Sequence, residues 1–226
     1  VARVVDLGAG TGGLTRLLVP RADEVVAVEP DARMRSVLAE EVPAATVAEG
    51  RGEDIPLPAG SAAAVLASSS WHWVDPPRAL PEVARVLEPG GTMGALWGGP
   101  DPEGPFMVQA REVLAQGVGA GDGDADEVAR RLLGDAARSR QVLELVDGVP
   151  FTPPVHEVFT WERAMTADDL VGLLGTFSWV ILMEAADRER LLDQARRLLV
   201  RHLGLEGGAT VDVAQRCDAW RTTRTG

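Results

Sequence analysis

A run of β-branched residues opens into closely spaced glycines at Val4-Val5-Asp6-Leu7-Gly8-Ala9-Gly10-Thr11-Gly12-Gly13, and no other segment narrows the fold as far. The apolar run reads as a strand. The glycines read as a turn in which the backbone can bend sharply and approach a ligand closely. The residues beyond read as a helix whose first N–H groups are free to meet a carboxylate or phosphate. Gly8, Gly10 and Gly13 also satisfy the G-x-G-x-x-G pattern, so spacing alone leaves dinucleotide cofactors open. Asp6 tips the balance, because a carboxylate two residues before the first glycine would repel a pyrophosphate and suits a cationic cofactor.

The first half of the chain repeats this alternation of short apolar runs and amphipathic stretches, the pattern of a parallel α/β sheet. Strands are predicted over 1–7, 24–29, 44–49, 62–68 and 92–97, and helices over 12–19, 31–41 and 77–87. The rhythm breaks at Gly98-Gly99-Pro100-Asp101-Pro102. Helices are then predicted over 106–116 and 128–146, on either side of a glycine-rich acidic stretch at 117–126 suited to a mobile loop. A strand over 155–163, a helix opened by Thr166, a helix over 187–204 stopped by Gly204 and a strand over 210–223 complete the chain. Three parts are expected: a cofactor-binding core at 1–100, a helical insertion or lid at 101–154, and completion of the core at 155–226.

A chain of 226 residues, 46% of them hydrophobic, can bury one sizeable core. The apolar runs at 62–67 and 180–183 are far shorter than the roughly 20 residues a bilayer crossing requires. Cys217 has no second cysteine to pair with, and no secretory leader is read at the start, so a soluble cytoplasmic protein is expected. The net charge is −12 and all 22 basic residues are arginines, scattered along the chain. That acidic field works against a phosphate backbone, and nucleic acid is not an expected partner. Asp122, Asp124 and Asp126 do not make a calcium loop, since Glu127 stands where such a loop needs glycine and Leu133 where it needs glutamate; no metal is expected.

The pattern Asp6-x-Gly8-x-Gly10-x-Gly12 resembles the first motif of class I S-adenosylmethionine-dependent methyltransferases, and later segments resemble the same family in order. The resemblance implies a Rossmann-like, doubly wound, seven-stranded and mostly parallel sheet with a helical insertion, its last strand antiparallel. It also implies S-adenosylmethionine as cofactor and methyl transfer to an oxygen, nitrogen or carbon of a small molecule. Cofactor contacts are implied for Asp6, Gly8, Ala9 and Gly10, and for Glu29 and Pro30 at the end of the second strand. A carboxylate there accepts two parallel bonds from the ribose diol. Gly50-Arg51-Gly52-Glu53-Asp54 resembles the family's adenine-binding turn, where Arg51 replaces a frequent aspartate and leaves Gly52 and Glu53 as the candidates.

Ser68-Ser69-Ser70-Trp71-His72-Trp73-Val74-Asp75 resembles a His-Trp segment of a small-molecule branch of the family. Ser69 is implied toward the methionine moiety, and Trp71 and Trp73 toward substrate. His72 is a candidate general base, since its ordinary pKa lies near neutrality, although a histidine that packs its loop is the alternative. Trp179, in Thr176-Phe177-Ser178-Trp179, stands where relatives tend to have tyrosine and is a further substrate candidate. The resemblance also places helices ahead of the first strand, so either an unusually open site or more chain before residue 1 is expected. Two other readings stay open: an NAD-dependent oxidoreductase, from the glycine pattern and Glu29, and a cofactor-binding protein without methyl transfer, from Arg51, Ser69 and Trp179.

Overall fold

The computed structural model describes residues 2–110, 142–176 and 178–226, with the backbone alone at 178, 179 and 202. Seven strands form one sheet: β1 (Arg3–Leu7), β2 (Glu24–Val28), β3 (Thr46–Ala48), β4 (Ala62–Ser68), β5 (Leu87–Pro100), β6 (Val155–Thr166) and β7 (Thr210–Thr223). Their spatial order is β3-β2-β1-β4-β5-β7-β6. The first five strands are parallel, with Val5 opposite Val26 and Val65, and Val65 opposite Met93. β7 runs the other way. The Arg224 amide donates to Gly91 O at 2.8 Å and the Asp101 amide to Ala214 O at 2.8 Å, so numbers fall along β7 as they rise along β5.

Helices α1 (Thr15–Leu18), α2 (Ala32–Glu41) and α3 (Pro76–Val86) connect the parallel strands, and α4 (Ala167–Gly175), α5 (Ser178–Ile181) and α6 (Ala185–Leu203) lie between β6 and β7 in sequence. Local chemistry starts and stops them. Asp31 caps α2 by accepting from the Arg33 amide at 2.8 Å. At α4, Thr166 accepts from the Asp169 amide at 3.1 Å while Asp169 accepts from the Thr166 amide at 2.9 Å, a reciprocal capping box. Gly204 ends α6. Among the described residues, no helix is long and apolar enough to cross a membrane.

By contact the chain divides into two compact units, one formed by Val1–Gly98, Arg140–Phe159 and Cys217–Gly226, the other by Gly99–Ser139 and Thr160–Arg216. The core of the first lies on one face of the sheet. Val5, Leu7, Val26, Val28, Val65, Ala67, Met93 and Ala95 alternate inward along their strands and meet Leu80, Val83 and Val86 of α3, with Ile55, Trp71 and Leu143. The second unit has a separate cluster of Phe106, Met165, Ala167, Leu170, Leu205 and Val213.

Two expectations are corrected. The first helix begins at Thr15 rather than residue 12, because Gly12 and Gly13 lie in turns and glycine loses the most freedom on entering a helix. Residues 142–146 are not helical, and their burial departs from helical spacing: Leu143 is fully buried in the first core while Val142 and Glu144 are exposed. Residues 106–110 are helical as expected, whereas the rest of the helix expected at 106–116, the glycine-rich stretch 117–126 and residues 128–141 lie outside the described residues.

Candidate functional site

The strand order reverses between β1 and β4, the place where an open α/β sheet offers a ligand crevice at its strand carboxyl ends. Gly8 makes the turn out of β1 with φ +69°, and a Cβ there would lie 2.5 Å from Ser70 Cβ. The Ser70 hydroxyl donates to Leu7 O at 2.6 Å, so the segments after β1 and β4 touch at this point. The Gly8 and Ala9 amides donate to Val28 O at 2.8 and 3.1 Å, which ties the same turn to β2. Gly10, with φ +58°, has nothing within 4 Å of the position a Cβ would take. Its outer side is open.

Glu29 completes this floor. It is 5% exposed. Its Oε2 accepts from the Gly10 amide at 2.9 Å and its Oε1 from the Asp31 amide at 2.9 Å. The carboxylate is thereby fixed in one orientation, and each oxygen keeps a lone pair for a further donor. Pro30 beside it is exposed.

Asp6 lies beneath the turn and is 1% exposed. Its Oδ2 accepts from the Thr15 hydroxyl at 2.6 Å. Burial pushes its pKa up to about 6, against the Thr15 hydrogen bonds, and the nearby Glu29 charge adds to the rise. Two carboxyl groups therefore sit behind the glycine turn, and a cation there would ease the burden on Asp6.

The remaining candidates divide. Gly52 is packed, since a Cβ would lie 2.6 Å from Val74 Cγ1, and Glu53 accepts from the Asp75 amide at 2.7 Å. Both tie the segment after β3 to the start of α3. Ser69 is exposed in the left-handed region at φ +52°, the only described non-glycine residue there, and such strain concentrates where a ligand or mechanism requires it. Trp71 is buried in the core, whereas Trp73 is 67% exposed. His72 is exposed with its ring 5.1 Å from that of Trp73, and partial desolvation lowers its pKa. Trp179 belongs to the second unit, and its side chain lies outside the described ones.

Three residues of this region were not singled out from sequence. Thr15 and Ser70 hold Asp6 and Leu7, and their tertiary partners leave no mark on local pattern. Trp97, near the end of β5, has a buried indole N–H with no partner among the described residues. An unpaired donor of this kind commonly marks a place for a water or ligand oxygen.

A family model described as a methyltransferase domain matches residues 5–94. An uncharacterized methyltransferase of Mycobacterium bovis is 38% identical over 203 residues, covering 90% of this chain and 75% of that one. An uncharacterized methyltransferase of Schizosaccharomyces pombe is 26% identical over 189 residues, covering 83% of this chain and 70% of that one. Among solved structures, a protein of Anaeromyxobacter dehalogenans provisionally assigned as a type II methyltransferase superposes with a TM-score of 0.60 at 21% identity, over 99% of this chain and 89% of that one. The YcgJ protein of Bacillus subtilis does so with 0.51 at 17% identity, over 100% and 92%. These two structural likenesses speak for the fold, the relatives for the family, and neither favours the oxidoreductase reading. The chain belongs to the class I S-adenosylmethionine-dependent methyltransferases.

Proposed function

We propose that the crevice between β1 and β4 binds S-adenosylmethionine and that the acceptor is a small molecule with an oxygen, nitrogen or carbon nucleophile. The observation that carries the binding mode is the Glu29 carboxylate, held by two amides with a lone pair left on each oxygen, beside the open side of Gly10. That geometry suits a vicinal diol, which needs two acceptors side by side. Gly8, Ala9 and Gly10 bring backbone close beneath the ligand, and Asp6 acts from behind them as a positioning residue through Thr15 while its charge favours a cation. Ser69 faces the methionine end. Gly52 and Glu53 shape the adenine end through the segment that they anchor.

The cofactor supplies a methyl group on a sulfonium, already a good leaving group, so the protein's work is to align the nucleophile and exclude water. His72, whose pKa partial desolvation lowers, is the group we assign to accept a proton from a hydroxyl or amine nucleophile. Trp73 offers apolar surface to the acceptor. The net charge of −12 favours a small or cationic acceptor over a nucleic acid. Calorimetry with S-adenosylmethionine and NAD, followed by mass spectrometry across a panel of phenols, amines and activated carbon acids, tests both halves. Saturable binding of the first cofactor alone and a one-methyl mass gain in a panel member are expected; tighter binding of NAD overturns the reading of the crevice, and methylation confined to nucleic acid or protein overturns the acceptor class.

A further inference from the structure

β6 is the outermost strand of the sheet, so one side of its backbone has no strand partner among the described residues. It is long for an edge. Residues 155–164 are all exposed, and they include Phe159 at 53% and Trp161 at 47%. The strand contains no proline and no lysine, two of the devices that blunt an open edge. Alternation puts Glu157, Phe159, Trp161 and Arg163 on one face.

We infer that this edge pairs with the β6 edge of a second copy of the chain, antiparallel and centred on Thr160, joining two sheets into one. A two-fold axis normal to the joined sheet keeps the same face uppermost in both copies. Facing residues must then have numbers that sum to an even value, and three central registers qualify. Centred on Phe159, the strand would set Trp161 opposite Glu157. Centred on Trp161, it would set Phe159 opposite Arg163. Centred on Thr160, it sets Phe159 opposite Trp161 and Glu157 opposite Arg163, ring against ring and acid against base, each pair occurring twice. Cross-strand aromatic and opposite-charge pairs are the contacts that stabilise antiparallel pairing, and the two-fold doubles each of them. Glu157 Oε1 lies 3.6 Å from Arg221 Nε in its own chain, which leaves Oε2 for the second copy.

Sedimentation velocity of the intact chain at about 0.15 M salt, where long-range repulsion between two acidic copies is screened, reads the equilibrium directly. A concentration-dependent dimer is expected. Glu157→Arg and Arg163→Glu each place like charges opposite one another twice, and each is expected to weaken the dimer at least about tenfold. An equimolar mixture of the two variants restores both pairs, as does the double variant, and each should dimerise as the parent does. Circular dichroism checks that the singles remain folded, and recovery in the mixture is itself proof that they do. A parent that stays monomeric at every concentration overturns the inference, as does a dimer that the single reversals leave unchanged or that mixing fails to restore.

Discussion

The Thr15 hydroxyl donates to Asp6 Oδ2 at 2.6 Å, and both residues are buried. The bond joins the first turn of α1 to the last residues of β1 and so sets the angle at which the glycine turn leaves the sheet. It only partly offsets the cost of burying the carboxyl, whose pKa stands near 6 against an ordinary value of 3.8.

A pH dependence follows, with a definite sign. Between about pH 4 and 6 the folded chain binds a proton at Asp6 that the unfolded chain has lost, so this contribution is full at low pH and disappears as pH rises through 6. Its size is on the order of 3 kcal/mol, from 1.36 kcal/mol per pKa unit. Asp6→Asn keeps an acceptor for Thr15 and removes the titration. Urea unfolding at several pH values is expected to show a flatter profile in that window and a variant at least as stable as the parent at pH 7, with weaker binding of the cationic cofactor.

At Glu29, replacement by alanine removes two charge-assisted bonds to the ribose and also releases the Gly10 and Asp31 amides. A loss of roughly 2 to 4 kcal/mol in cofactor affinity is expected by calorimetry. Unchanged affinity would withdraw the diol assignment.

For His72, alanine is expected to lower kcat by about 10² to 10⁴ with little change in cofactor Kd, if proton transfer accompanies methyl transfer. Because desolvation depresses the pKa, the acid limb of the parent's kcat profile should fall below the ordinary histidine value. A loss under about tenfold, with the fold intact, would assign the ring to packing its loop.

Two glycines of one turn should differ. Gly8→Ala meets both a left-handed backbone and a Ser70 Cβ at 2.5 Å, whereas Gly10→Ala meets the backbone penalty alone. Thermal melts should place Gly8→Ala lower, by about 1 to 3 kcal/mol of overpacking beyond the roughly 1 to 2 kcal/mol that both share. Gly10→Ala should instead show its larger effect on cofactor binding, since the added methyl enters the open space.

Leu143→Ala tests the least anticipated packing contact. The side chain is fully buried in the first core, and truncation should cost about 2 to 5 kcal/mol.

What could be read in advance follows from where the determining forces act. β4 at 62–68 and β7 at 210–223 match their expected bounds, and Thr166 and Gly204 bound α4 and α6 as expected, because alternation, caps and stops are written into neighbouring residues. The glycine turn was legible through spacing, and Gly8, Gly10 and Gly12 all take positive φ. The two amides that grip Glu29, the Ser70 bond to Leu7 and the burial of Leu143 were not, because each partner arrives through tertiary folding. Trp71 shows the limit from the other side: a tryptophan in a ligand-facing segment, expected toward substrate, spends its indole in the core.

The sheet is lopsided, with β3, of three residues, at one margin and β6, of twelve, at the other. Three residues offer too few amides and carbonyls to template a neighbour, and Val47 and Ala48 pack against buried clusters of their own chain. Whatever settles against β6, growth cannot continue from the far margin. Open-ended ribbons, the route by which exposed strands turn into fibres, need two receptive ends, and among the described strands β6 alone offers one. It should therefore tolerate high concentration without polymerising, an economy achieved by keeping one strand short.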